Sequence, residues 1–305
     1  MKIGIVGAGA MGANHLRVVH SLPGVSLAAA ADIDADKRRF VTDSYGVPAF
    51  ADYRELASGV DAVMVSTPTR LHHEMAKFFL ERGRHVLVEK PITVTLAEAD
   101  ELVELAERKG LCLAVGHVER FNPAVAAIAP LVTSPRFIES QRLGSFSPRS
   151  LDIDVILDLM IHDLDIILRW DRSGVKEIRA VGIPVISTKT DIASVRLEFY
   201  SGLVANVTAS RISQQKIRKL RIFQPHQYIS LDYRERSVKI ISLEEGQIRE
   251  QIPQVEDGEP LARMWSGFLG AAARGAGERV SGEEARQALE LALQISTVIR
   301  RNREP

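Results

Sequence analysis

Cysteine is almost missing from this chain: among 305 residues there is one, Cys112. A single thiol excludes an intrachain disulfide framework and fits a reducing compartment. Its setting, Leu111-Cys112-Leu113-Ala114-Val115, is that of a buried strand residue, not of an activated thiolate. Net charge is missing too, with 39 Lys and Arg against 39 Asp and Glu. The composition therefore carries no electrostatic footprint for a nucleic acid or an anionic membrane. No run of about 18 apolar residues occurs, which excludes a membrane-spanning helix. The apolar start, residues 1–6, runs straight into a glycine-rich turn and is too short for a secretory signal. Internal repeats and low-complexity segments are absent as well. These absences leave a cytoplasmic globular protein as the expectation.

What is present is ordinary in amount and ordered in pattern. Hydrophobic residues make up 46 % and charged residues 26 %, enough apolar material over this length for two cores. Up to residue 116, short β-rich runs (2–6, 27–31, 62–66, 85–89, 111–116) alternate with helical patterns near 12–21, 36–45, 71–82 and 95–109. That alternation predicts a parallel sheet with crossover helices. Thr95 and Glu98 have the spacing of a capping box, and Gly110 that of a helix stop. The pattern then changes. A short helix is expected after Pro123, a long helical stretch over 150–170, and antiparallel strands from Lys176 onward, including 204–210, 219–223, 227–233 and 237–242. Two helices, 262–274 and 282–302, close the chain, the second behind a Ser281/Glu284 capping box. The expected division is 1–118 and 119–305, with the C-terminal helix able to pack back on the first domain.

Gly7-Ala8-Gly9-Ala10-Met11-Gly12 follows the first strand and opens the first helix. In that context the glycines have distinct jobs. Gly7 allows a tight turn, Gly9 lets the main chain approach a pyrophosphate, and Gly12 lets helix and strand pack closely. The N–H groups at the helix start, those of Ala10 and Met11 included, offer positive dipole to phosphate. The second strand ends at Asp32. A carboxylate there accepts hydrogen bonds from ribose hydroxyls and repels a 2′-phosphate, which favours NAD over NADP. Lys37 and Arg38, one turn further on, argue the other way. A Gly-rich turn in a flavodoxin-like fold is the alternative. The fold class expected is α/β: an N-terminal Rossmann doubly wound parallel sheet, then a C-terminal α+β domain with a large, mostly antiparallel open sheet.

Glu89-Lys90-Pro91 lies at the C-terminal end of a predicted parallel strand, the edge where ligands bind in open α/β sheets. A lysine there is ordinarily surface decoration, but beside a nicotinamide it would stabilise a developing alkoxide. Asp158 and His162 are four residues apart in a helical pattern. That spacing suits a surface ion pair, or equally a carboxylate that orients a basic imidazole. His72 and His73 do not read as a zinc pair, since neighbours on a helix diverge by about 100°, and no metal site is expected.

Together these landmarks resemble the Gfo/Idh/MocA oxidoreductase family over nearly the whole chain: Gly7–Gly12, Asp32, Ser66-Thr67-Pro68 with His72, Glu89-Lys90-Pro91 and Asp158-x-x-x-His162. The resemblance implies that Lys90, Asp158 and His162 are catalytic. It further implies that Ser66, Thr67 and Pro68 border the cofactor with His72, and that Glu89 lies near the nicotinamide ribose. Thr69 departs from the family's usual Asn. The segments 116–124 and 152–163 are similar to a narrower branch that oxidises the 3-hydroxyl of UDP-N-acetylglucosamine on the way to lipid A. A sugar-nucleotide diphosphate needs cations. Arg142, Arg149 and Arg211, with Lys216, Arg218, Lys219 and Arg221, are the candidates, and His117 and Asn122 are candidates for sugar hydroxyls. Alternating cations on an antiparallel strand equally describe a solvated face. An inositol, an aldose, a UDP-glucosaminuronate, an imine or a non-catalytic NAD-sensing role remains open, and a homodimer or homotetramer through the C-terminal sheet is expected.

Overall fold

The computed structural model describes residues 1–146 and 153–303. The chain divides into two compact units, Met1–Val118 with Glu259–Arg286, and Glu119–Gly258 with Gln287–Pro305. Glu259–Arg286 thus counts with the first unit, whereas the sequence pattern groups it with the second.

In the first unit, strand β1 (Lys2–Val6) leads into helix α1 (Ala10–Ser21), then β2 (Ser26–Ala31), α2 (Ala35–Tyr45) and the two-residue β3 (Ala49–Phe50). β4 (Ala62–Val65), α3 (His72–Glu81), β5 (His85–Val88), α4 (Leu96–Lys109) and β6 (Leu113–Val115) follow. All strands pair in parallel in the order β3-β2-β1-β4-β5-β6. The strand order reverses between β1 and β4, and such sheets hold ligands beyond the strand ends at that point. Helices cover both faces, so central strands such as Ala62-Val63-Met64-Val65 are wholly buried and carry no polar alternation. α4 forms the capping box: Thr95 Oγ1 accepts the Glu98 N–H, Glu98 accepts the Thr95 N–H, and Gly110 ends the helix at φ 64°. The helix Pro260–Arg274 completes this unit by burying Trp265 and Phe268.

The second unit opens with α5 (Pro123–Ile128), β7 (Phe137–Leu143) and a π-helical turn, Ile156–Met160, running into α6 (Ile161–Trp170). Next come β8 (Val175–Ile183), β9 (Ile192–Phe199), β10 (Val204–Ser210), β11 (Ile217–Gln224), β12 (Gln227–Asp232), β13 (Ser237–Glu244) and β14 (Gln247–Gln251). After them lie α7, the helix Pro260–Arg274 already met, and α8 (Gly282–Arg301), which opens behind Ser281 with the expected Glu284 bond. The eight strands form one sheet in the order β14-β13-β12-β11-β7-β10-β9-β8, antiparallel except where β7 runs beside β10. Its inner face, with Ile138, Val195, Leu197, Val207, Leu220, Ile222 and Ile229, meets α6 and the later turns of α8.

β7 was not legible in the sequence. Its inward side chains are Ile138, Ser140 and Arg142, so the period-2 apolar signal is broken by polar residues at core positions. β14 is exposed throughout and has no pattern to read. The expected helix over 150–170 is, among the described residues, a π turn plus α6, with Asp154 capping the start by accepting the Leu157 N–H at 2.9 Å.

Thr95→Ala removes one arm of the α4 capping box and is expected to lower stability by about 1 kcal/mol. A denaturant melt checks this, and an unchanged midpoint would mean that water replaces the bond without loss.

Candidate active site

The glycine fingerprint folds as its chemistry requires. Gly7 has φ +88°, and a Cβ there would stand 2.3 Å from the Ser66 carbonyl oxygen. A Cβ on Gly12 would lie 1.8 Å from the Gly7 carbonyl oxygen. Both positions are closed by main chain. Gly9, the N-cap of α1, differs: nothing lies within 4 Å of its hypothetical Cβ. The first N–H groups of α1, from Ala10, Met11 and Gly12, therefore face open space at the positive end of a helix. An open, positive helix start of this kind fits the pyrophosphate of a dinucleotide. Beside it is a cleft of about 270 Å³ lined by Gly7, Gly9, Asp32, Lys37, Ser66, Thr67, Pro68 and Arg70.

Asp32 is oriented before any ligand arrives. Its carboxylate accepts the Ala8 N–H at 2.7 Å and the Asp34 N–H at 2.9 Å. Arg38 is turned back onto the Asp32 and Ile33 carbonyls, and Lys37 lies 3.9 Å from both Asp32 and Asp34. The two cations that argued for a 2′-phosphate are thus engaged with the main chain or with acids. Arg70 and Tyr53, which also line the cleft, carried no sequence signal.

At the other end of the strand edge, Lys90 is half-buried and Glu89 buried, and the Lys90–Pro91 peptide is cis. Glu89 accepts from His15 Nε2 at 2.9 Å and from the Lys90 N–H at 3.1 Å. Burial pushes its carboxyl up, but His15 and the neighbouring Lys90 outweigh that and hold it below the usual carboxylate range. His72 is almost fully buried, with the Thr67 and Pro91 carbonyls each 2.8 Å from a ring nitrogen. Burial pulls its pKa down against those carbonyls. His72, expected at the cofactor's side, ties the 66–68 loop to the 89–91 loop. His73 turns away to Glu101 at 2.7 Å, so the two imidazoles have separate partners.

In the second unit, Asp158 lies in the π turn and His162 in the first turn of α6, and both are half-buried. π turns of this kind recur at functional sites. Asp163 and Asp165 point into the core. Arg142 grips Asp163 at 2.8 and 3.0 Å and reaches Glu119 at 2.8 Å, while Arg120 holds Asp165.

These pairs correct the expected substrate contacts. Arg142 is 3 % exposed and committed to two acids, so it is a core cation, not a diphosphate ligand. Arg211 is likewise buried, on Asp191 at 2.9 Å and the Ile153 and Thr190 carbonyls. Asn122 caps α5 through the Ala124 N–H and donates to the Tyr233 carbonyl. His117 is buried beyond β6. Arg149 lies outside the described residues. The basic run on β11 divides between the sheet's faces, as a period of two demands: Lys219 pairs with Asp232 and Arg221 with Glu139, whereas Arg218 stands beside Arg142 near Glu119 and keeps 48 % of its side chain exposed.

A parallel doubly wound sheet, a glycine loop at the open start of α1 and a carboxylate at the end of β2 define a dinucleotide-binding protein. Comparison with known proteins sharpens that class. Residues 1–117 match the family described as "Oxidoreductase family, NAD-binding Rossmann fold" (Gfo/Idh/MocA). The chain is 34 % identical to a UDP-N-acetylglucosamine 3-dehydrogenase of Acidithiobacillus ferrooxidans, across 98 % of this chain and 97 % of that one. A solved structure of that enzyme, GnnA, superposes with a TM-score of 0.93, covering 99 % and 98 % of the two chains. A myo-inositol 2-dehydrogenase of Thermotoga maritima is 28 % identical over 69 % of each chain. The chain belongs to the Gfo/Idh/MocA family and is an NAD-dependent oxidoreductase. Among the described residues, no helix is long and apolar enough to cross a membrane.

Gly9→Ala separates folding from binding at the cradle. The new methyl meets no protein atom, so stability should fall by less than about 1 kcal/mol. The NAD dissociation constant should rise at least about tenfold, a 1.4 kcal/mol effect. Thermal melting and calorimetric titration check the two halves, and unchanged NAD affinity would move the pyrophosphate elsewhere.

Proposed function

We propose that this protein oxidises the 3-hydroxyl of UDP-N-acetylglucosamine with NAD, giving a 3-keto sugar nucleotide for later 3-amination towards lipid A. The observation that carries this is the full-length likeness to an enzyme of that name. NAD, when bound, accepts the hydride from the carbinol carbon. The rest of the chemistry falls to side chains of this chain. An imidazole nitrogen of His162 takes the hydroxyl proton, and Asp158, one turn earlier, compensates the charge gained. Lys90 stabilises the developing alkoxide with its ammonium. Asp32 would hold the adenine ribose, and the N–H groups of Ala10 to Gly12 would hold the pyrophosphate. Arg218, the most exposed cation beside the Arg142–Glu119 pair, is assigned to the substrate diphosphate in place of Arg142 and Arg211. Relatives named as inositol dehydrogenases favour a polyol as the second reading. We further place the protein in the cytoplasm, where a nucleotide sugar and NAD are both at hand.

The outer face of the large sheet supports a homodimer or homotetramer. It carries the adjoining, mutually tilted rings of Phe137, Phe223 and Tyr228, with the Arg221–Glu139 pair beside them.

NADH absorbance with a panel of UDP-N-acetylglucosamine, UDP-N-acetylglucosaminuronate, myo-inositol and glucose tests the substrate. Turnover restricted to an inositol would overturn the sugar-nucleotide reading. Lys90→Ala and His162→Ala should each lower kcat by about 10²–10⁴-fold while NAD binding persists; near-normal turnover in either variant removes that residue's role. For assembly, light scattering should give a mass of at least twice the 33.6 kDa chain, and Phe223→Asp should halve it or reduce it further. A parent that runs as a monomer at micromolar concentration defeats the interface.

A further inference from the structure

We propose that His15 and Trp265 are positioning residues for Lys90, acting through Glu89. This rests on the reading of Lys90 as the residue that meets the alkoxide. Neither His15 nor Trp265 belongs to the cradle, the Asp32 site or the Glu-Lys-Pro segment. Both are fully buried, His15 on the inward face of α1 and Trp265 on α7.

The direction of each hydrogen bond follows from chemistry. An indole N–H only donates. Trp265 Nε1 lies 3.0 Å from His15 Nδ1, so Nδ1 is the acceptor and the ring proton belongs on Nε2. Nε2 lies 2.9 Å from Glu89 Oε1 and donates to it. The other oxygen of Glu89 accepts the main-chain N–H of Lys90 at 3.1 Å. Gly116 backs this carboxylate so closely that a Cβ there would stand 3.0 Å from it. The two rings meet edge to face, with centroids 5.9 Å apart.

A run of three donors thus ends on the peptide N–H of Lys90. A buried carboxylate is expensive unless donors answer it. A core stabilised for its own sake would do better with an apolar residue at position 89. What the carboxylate gains is control: it fixes the main chain from which the Lys90 side chain departs and sets a negative charge beside that ammonium. Trp265 selects the imidazole tautomer that makes this possible.

Two isosteres of histidine separate the links. In His15→Gln the amide nitrogen takes the place of Nε2 and keeps the donor to Glu89. In His15→Asn the amide oxygen takes the place of Nδ1, keeping the acceptor for Trp265 and losing the donor to Glu89. The expected result is a kcat lowered at least tenfold in His15→Asn, with KM for NAD within threefold of the parent, and most of that loss restored in His15→Gln. Trp265→Phe keeps a ring and removes the N–H, and it should lower kcat by less than His15→Asn does. Independently of activity, nitrogen-15 correlation of the imidazole in the parent should show the Nε2–H tautomer for His15, and a mixture of tautomers in Trp265→Phe.

A parent ring protonated on Nδ1 overturns the proposal. So does a His15→Asn enzyme with kcat within twofold of the parent, or His15→Gln and His15→Asn impaired alike with equally lowered melting temperatures, the pattern of simple core packing. If Lys90→Ala itself keeps its turnover, the assignment of Lys90 falls first. If Lys90→Ala is inactive and His15→Asn is normal, only the positioning role falls.

Discussion

A carboxylate shut away from water must be surrounded by donors, and much of this molecule is arranged around that requirement. In the first unit it is Glu89, met by His15 and by the amide of Lys90. In the second it is Asp163, Asp165 and Asp191, met by Arg142, Arg120 and Arg211. Asp191 is the most fully satisfied, taking the N–H groups of Val185, Ile186 and Ser187, the Ser187 hydroxyl and Arg211. Burial works against its charge, yet these donors hold the carboxyl far below its usual range. Breaking any such set by removing one partner strands the other, so these clusters bind distant segments together.

Much of the fold, and the cofactor half of the site, was legible because the signals are local. A turn that needs glycine, a strand buried on both faces and a helix behind a capping box are each written within a few consecutive residues. Gly7 to Gly12, Asp32, Thr95 with Glu98, and Ser281 with Glu284 all fall in this class. The polar clusters are written otherwise. Trp265 reaches His15 across 250 positions, and Tyr233 receives Asn122 across 111. No window on the chain contains both partners. His15 does leave a trace, since it stands among Leu16, Val18 and Val19 on the buried face of a helix. A histidine in that company requires a partner, although the sequence does not say which.

The same distinction explains why the arginines misled. A basic residue on a strand reads as solvent-facing or ligand-facing, and the alternation of Arg218, Lys219 and Arg221 looks like one positive patch. The pleat sends them to opposite faces, and Arg142 of β7 turns inward to Asp163 of α6 and to Glu119. Charge counted along a chain overestimates charge available at a site, because buried acids neutralise part of it first. The glycine loop is free of this difficulty: its function lies in the main chain, whose course sequence specifies directly.

The return of α7 to the first unit also has a consequence in time. A ribosome extrudes the chain from the N-terminus, and the first unit lacks Trp265 and Phe268 until α7, which ends at Arg274, has emerged. Between Val118 and Glu259 lie roughly 140 residues of the second unit, about 7 to 30 s of synthesis at 5–20 residues per second. Throughout that interval the dinucleotide fold exists without α7 against α1, and His15 is without the Trp265 donor that fixes its ring. Most of the second unit is made before the first is finished, so a late part of the nascent chain closes the earliest core.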